Sequence, residues 1–312
     1  MPSTTHPSVY WLDSSSKTAC VVLDQRNLAV DARTNPAVKE LWIYVYLPQE
    51  TRARDAKGLD PALRRDDEKI NQMPLVLVLP ILGGQNLWIE EQFAKTLNQY
   101  GIAAAIVPFP QQFERRYFLE LPSGMLFLER DPEKLALNFE QALIDLSTFA
   151  DWIERGGAEK LQKGWRPKFG IWGTSLGGIL GSVAMSRDSR FKAGAFLLAG
   201  ADPATILMEG RETKKIASKI KIGRKRIDGF LKEFDLDRIA RDQSPEKLWA
   251  GRPVFLVEGV WDPVIPKGSR RKLRRAIPHA RVLKLPSGHY TAILHMFWVK
   301  GKVARFFEQN LK

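Results

Sequence analysis

A serine stands between two glycines at Gly173-Thr174-Ser175-Leu176-Gly177, directly after the apolar run KFGIWG and at the head of SLGGILGSVAMS. G-x-S-x-G in a strand–turn–helix setting puts a hydroxyl at the tip of a sharp turn, exposed for attack on an acyl carbon. Such a turn forces the serine into strained backbone angles. Side chains two residues to either side would collide there, and Gly173 and Gly177 remove that collision. The same turn directs the Leu176 N–H towards the substrate oxygen. A glycine–serine–glycine turn also occurs by chance, so the motif gains meaning only from partners elsewhere in the chain.

A serine hydroxyl needs a base to take its proton, and the base needs a carboxylate to fix its tautomer and orientation. With this kind of turn the acid follows the serine in chain order and the histidine comes last. Asp262 lies in Val260-Trp261-Asp262-Pro263, just past the strand-like run PVFLVEG. Asp-Pro is also a common turn opener. Glu258 is the competing acid, but it falls within the strand itself, so Asp262 is preferred. His289 follows the run RVLKLP in Ser287-Gly288-His289-Tyr290. Its rivals are placed worse: His279 precedes that run, His295 falls inside the last helical stretch, and His6 is near the start. The negative oxygen of a tetrahedral intermediate needs two donors. Leu176 N–H is one, and the other is expected from Ile81-Leu82-Gly83-Gly84, after the run PLVLVLP. Pro80 has no N–H. Leu82 is favoured, with Ile81 next; Gly83-Gly84 also reads as an ordinary strand-to-helix turn.

These residues must be held by a sheet. Seven runs read as strands: Leu41–Pro48, Pro74–Pro80, Gly101–Phe109, Lys168–Gly173, Lys192–Gly200, Pro253–Gly259 and Arg281–Pro286. They alternate with helical patterns, including 87–100, 133–156 and the C-terminal stretch from Tyr290. The alternation predicts an α/β fold with a mainly parallel sheet. Two segments interrupt it. Gln49–Met73 is charged and predicts a surface loop. Residues 201–250 carry a helical pattern between two core strands and read as an inserted cap. The expected organisation is a single domain over 1–312 with the cap within it.

Gly173 to Gly178, Gly259-Val260-Trp261-Asp262-Pro263-Val264-Ile265-Pro266 and Gly288-His289 together resemble the α/β-hydrolase superfamily, nearest to its dienelactone-hydrolase and prolyl-oligopeptidase-like esterase branch. The resemblance spans roughly Leu41 to the C-terminus. It implies metal-free hydrolysis of an ester, thioester or amide. The chain departs from many members at Pro80-Ile81, where they carry His-Gly. Serine at the nucleophile position argues against the dehalogenase and epoxide-hydrolase branches.

The bulk composition fits this. The 312 residues are 44% hydrophobic and 27% charged, which suits a large buried core. Cys20 is alone and the four histidines are scattered, so no disulfide, metal site or cofactor is expected. Cys20 reads as a small buried residue. The first residues show no basic start followed by an apolar stretch, and no uncharged run approaches the ~20 residues of a bilayer span. A cytoplasmic location is the expectation. The net charge is +13. Much of it lies in Arg211–Arg226, where Ile216 and Ile220 are spaced for one helix face, and in Lys267–Arg275. A lid with its isoleucines inward and lysines solvated is the preferred reading; weak contact of this basic cap with an anionic membrane, or contact with an acidic substrate, is the other. No nucleic-acid reader motif is present. Residues Phe109 to Asp131, with Phe118, Leu119, Leu121, Met125, Leu126 and Phe127, are expected against the core or the pocket. The function expected is a carboxylesterase acting on a small-molecule ester through an acyl-enzyme on Ser175. A peptidase, thioesterase or lipase on the same residues, and a non-catalytic protein binding lipid or a partner, are the alternatives. Substrate and oligomeric state are not written in the motifs.

Overall fold

The computed structural model describes residues 7–13, 17–25, 28–29, 36–49, 72–217 and 224–312. Among these residues nine strands form one sheet: β1 (Ser8–Asp13), β2 (Thr18–Asp24), β3 (Glu40–Tyr46), β4 (Leu75–Leu79), β5 (Ala103–Ile106), β6 (Phe169–Thr174), β7 (Phe191–Leu197), β8 (Val254–Gly259) and β9 (Arg281–Leu285). Their order is β1-β2-β3-β5-β4-β6-β7-β8-β9. From β5 to β9 every pairing is parallel, while β1, β2 and β3 join as an antiparallel edge. All seven sequence-predicted strands are present. The sheet also begins earlier than expected, with the hairpin β1–β2. The charged stretch Gln49–Met73 lies almost wholly outside the described residues.

Eleven α-helices are described: α1 (Trp88–Gln99), α2 (Pro132–Trp152), α3 (Ala158–Leu161), α4 (Leu176–Arg187), α5 (Pro203–Glu209), α6 (Lys214–Ala217), α7 (Arg224–Leu231), α8 (Leu236–Gln243), α9 (Pro245–Trp249), α10 (Lys267–Ala276) and α11 (Met296–Leu311). Helices α5 to α9 fill the segment between β7 and β8, where the sequence pattern placed a helical insertion. Aspartate caps recur. The side chains of Asp131, Asp202 and Asp235 accept backbone N–H bonds at the starts of α2, α5 and α8.

The central strands bury both faces, which explains their unbroken apolar runs. Leu75, Leu77 and Leu79 of β4 face one layer with Leu146, Phe149 and Leu180, while Val76 and Val78 face the other. The second layer is built by α1 and α11, where Phe93 stacks on Trp172 at 4.3 Å between ring centroids. Parallel strands send all their exits to one end, so the loops after β4, β6, β8 and β9 gather there.

A buried polar network anchors the long connection after β5. Arg115 bonds Asp145 at 2.5 Å and the Pro108 carbonyl at 2.8 Å. Asp145 also accepts from Gln141 and Gln25. In this connection Phe127 is buried and Leu128 reaches the cavity described below, but Phe118, Leu119 and Met125 are exposed. The expectation that all the apolar residues there turn inward is therefore corrected. The loop is tied down by Arg115 rather than by those side chains.

Candidate active site

Ser175 ends the turn between β6 and α4 with φ of 54° and ψ of −116°. This strained conformation is held from both sides. Ser175 N–H donates to the Leu197 carbonyl at 2.8 Å, and Ile179 N–H donates to the Ser175 carbonyl at 3.0 Å. The flanking glycines have no room for a side chain. A Cβ on Gly173 would lie 2.0 Å from the Gly177 carbonyl oxygen, and one on Gly177 would lie 2.5 Å from that of Leu79. A Cβ on Gly178 would meet Ala199 at 2.8 Å, so this glycine lets α4 lie close to the exit of β7.

His289 Nε2 is 3.0 Å from Ser175 Oγ, and His289 Nδ1 is 2.8 Å from Asp262 Oδ2. The loop after β9 carries the histidine and the loop after β8 carries the aspartate. Trp261 N–H bonds the Ser287 carbonyl at 3.0 Å and Val260 N–H bonds that of Leu285 at 2.9 Å, which fixes one loop against the other. Asp262 is buried. Its Oδ1 accepts from Val264 N–H at 2.8 Å and Ile265 N–H at 2.9 Å, which leaves Oδ2 for the imidazole. With Nδ1–H given to the carboxylate, Nε2 is the acceptor facing the serine hydroxyl. The rivals fall elsewhere. Glu258 bonds Arg274 at 2.5 Å, and His279 bonds the Arg252 carbonyl. His295 lies at the junction of a 3-10 turn and α11.

Leu176 is the first residue of α4, where a helix N–H has no acceptor within its own helix. Leu82 lines the same cavity. The neighbouring Ile81 N–H is already engaged: it donates to Glu90 Oε1 at 3.2 Å, and the Ile81 carbonyl accepts from Gln112 at 2.8 Å. Of the two donor choices, Ile81 N–H is thus turned to Glu90, while Leu82 borders the cavity. Glu90 and Gln112 were not among the residues expected to matter. Glu90 sits in the first turn of α1, where an acid is routine, and Gln112 sits in a loop without a motif. Burial pushes the Glu90 carboxyl up to about 7, against the Ile81 hydrogen bond that pulls it down.

A cavity of about 280 Å³ opens on Ser175 and His289. One part is lined by Ile206 and Leu207 of α5, Leu231 of α7, and Leu135 and Phe139 of α2; another by Ile89, Phe93, Val257, Met296 and Val299. The insertion thus forms part of the wall. Ile220 of the basic segment lies outside the described residues, and so does the Ile216 side chain. Lys214 and Lys215 are exposed. The second basic cluster is held by bonds on α10: Arg270 to the Gly259 carbonyl, Lys272 to Asp202, Arg274 to Glu258 and Arg275 to Asp237. Among the described residues no group of His, Cys, Asp and Glu is disposed to hold a metal ion. No described helix is long and apolar enough to cross a membrane. Cys20 is buried on β2, and burial pushes its thiol up to about 11.

No family model matches the chain, and no curated protein matches it in sequence. Solved structures do match. A cold-adapted esterase from an Arctic intertidal metagenomic library is 18% identical, with a TM-score of 0.59, over 96% of this chain and 97% of the esterase. An S-formylglutathione hydrolase from Agrobacterium tumefaciens is 12% identical, with a TM-score of 0.57, over 97% and 99%. The acylaminoacyl peptidase of Pyrococcus horikoshii is 15% identical, with a TM-score of 0.59; the match covers 88% of this chain but 40% of the peptidase. The chain has the α/β-hydrolase fold.

Proposed function

We propose that the protein is a serine hydrolase, specifically a carboxylesterase, in which Ser175, His289 and Asp262 form the catalytic triad. The carrying observation is the continuous chain of contacts from Ser175 Oγ to His289 Nε2 at 3.0 Å and from His289 Nδ1 to Asp262 at 2.8 Å. In this reading Ser175 Oγ attacks the ester carbonyl while His289 Nε2 takes its proton. The Leu176 and Leu82 N–H groups receive the negative oxygen. Collapse of the intermediate expels the alcohol, which leaves with the proton held by His289. Water then attacks the acyl-enzyme, gives a proton to His289, and releases the carboxylic acid as Ser175 recovers its hydrogen.

The apolar wall favours an uncharged acyl group of small or medium size over a charged peptide. Helices α5 and α7 of the insertion act as the part of a cap that shapes this wall. A fluorophosphonate probe tests the reading. Intact protein should label and Ser175→Ala should not. If intact protein fails to label, the protein is a non-catalytic member of this fold; equal labelling of Ser175→Ala would remove Ser175 as the nucleophile.

A further inference from the structure

Large apolar side chains stand in solvent on the loops after β8 and β9 and along α11. Phe297 is 78% exposed, Leu294 75%, Trp261 68% and Tyr290 66%, with Ile293 and Trp298 partly exposed beside them. Ile293, Leu294, Phe297 and Trp298 follow three- and four-residue spacings through the 3-10 turn into α11, so they share one side of that element. Tyr290 and Ile293 also line the cavity that holds Ser175. The patch therefore borders the cavity at these two residues, while α11 lines the cavity through Met296 and Val299 on its buried side. Scattered exposed apolar residues are ordinary, but a cluster of this size marks a contact site.

Charge identifies what the site contacts. Residues 260–312 contain twelve Lys and Arg against two Asp and Glu, ten of the chain's thirteen net positive charges. Part of this excess is held in the α10 bonds given above. On the patch itself, Lys300 lies 5.7 Å from the centre of the Phe297 ring and Lys302 lies 5.4 Å from that of Trp298. Exposed Trp, Tyr and Phe with lysines laid across their rings suit the headgroup layer of a bilayer, where rings enter the interface and ammonium groups meet lipid phosphates. A second copy of the chain fits less well. A two-fold contact through this patch would set Lys300 and Lys302 against the same charges on the partner, and lysine is depleted from protein interfaces.

We infer that this face docks onto an anionic lipid bilayer and opens the Ser175 cavity towards apolar esters dissolved in it. The docking stands on the patch alone; the supply of substrate rests on the hydrolase reading. This places the membrane contact on the loops after β8 and β9 and on α11, not on the basic segment of the cap.

Vesicle co-sedimentation tests it, using the full chain with phosphatidylcholine vesicles and with phosphatidylcholine–phosphatidylglycerol vesicles. The protein should partition onto the anionic vesicles and be released by high salt. Lys300→Glu with Lys302→Glu should lower the partition coefficient, by about fivefold for each charge removed. Leu294→Ser with Phe297→Ser should lower it by about tenfold, while hydrolysis of soluble p-nitrophenyl acetate continues at the parent rate. Ser175→Ala should bind vesicles like the parent, so a failure of the hydrolase reading leaves the docking result legible. Absence of partition onto anionic vesicles, or equal binding by both double variants and the parent, overturns the inference. So does a dimer in light scattering that the Leu294/Phe297 variant dissociates.

Discussion

Alanine at Gly177 probes the close contact that, in the proposed mechanism, sets the Leu176 and Leu82 N–H groups in register. A Cβ there would lie 2.5 Å from the Leu79 carbonyl oxygen and 2.8 Å from both the Leu79 carbonyl carbon and the Pro80 oxygen. These are backbone atoms at the exit of β4, and they cannot swing aside as a side chain can. To reach even 3.0 Å, α4 and the end of β4 must separate by about 0.5 Å. Overpacking of this kind costs about 1–3 kcal/mol. The gain of a glycine-to-alanine change inside a helix offsets about 1 kcal/mol of that. Stability therefore falls modestly. Activity should fall further, because Leu176 lies on one side of the contact and Leu82 on the other. A misplacement of 1 Å costs about a hundredfold, so kcat/KM should drop by about ten- to a hundredfold. Gly181→Ala, on the same helix, is the control. Its nearest neighbours are the side-chain ends of Leu79 at 3.1 Å, Phe196 at 3.3 Å and Ile171 at 3.5 Å, which can yield. The assay is the initial rate on p-nitrophenyl acetate beside a thermal melt by circular dichroism. A folded Gly177→Ala protein with parental kcat/KM, or equal impairment of both variants, would refute the reasoning.

The choice of acid is tested by Asp262→Asn, which should lower kcat by about a thousand- to ten-thousandfold, whereas Glu258→Gln, paired with Arg274 rather than His289, should leave kcat near the parent value; steady-state rates on one ester decide, and the reverse ranking would unseat Asp262. Glu90 makes a pH prediction: its carboxyl rises from an ordinary 4.5 to about 7 on burial. Between those values the folded state holds a proton that the unfolded state has lost, so this residue's contribution to stability declines as pH rises through that window and levels off above it. Glu90→Gln keeps an acceptor for Ile81 N–H and should gain about 3 kcal/mol over the parent at pH 8 and little at pH 4; urea denaturation at both values checks it, and parallel pH curves for the two proteins would contradict it. Asp145→Ala leaves the buried Arg115 guanidinium without its carboxylate, and should cost about 3–5 kcal/mol in the same denaturation assay; a loss below about 1 kcal/mol, the scale of an exposed pair, would show the pair to be solvated.

What was legible beforehand divides along physical lines. β4, β6, β7 and β8 are buried on both faces, so their apolar runs stood out against polar surroundings. Ser175, Asp262 and His289 follow strand exits in a fixed order, and each lies in a short loop where its type is informative. The hairpin β1–β2 was missed because β1 is an edge strand with an exposed pattern, and SVYWLD offers no core alternation to read. Glu90 was invisible for a different reason. Its role depends on burial against a loop nine residues earlier, and a helix-start acid carries no mark of that. The inward turn of only part of Phe109–Asp131 depends on the Arg115–Asp145 pair, a contact between residues thirty apart. The part of the cavity wall given by the insertion is likewise set by how Ile206, Leu207 and Leu231 come together, which spacing along the chain does not encode.

The most direct test of the central claim is to trap the acyl-enzyme. The protein is mixed with a slowly deacylating p-nitrophenyl ester, quenched in acid during turnover and digested for mass spectrometry. The acyl mass should appear on the peptide that contains Ser175, and His289→Ala should abolish its build-up. An acyl group on any other residue, or steady ester turnover with no acylated Ser175, would contradict the assignment.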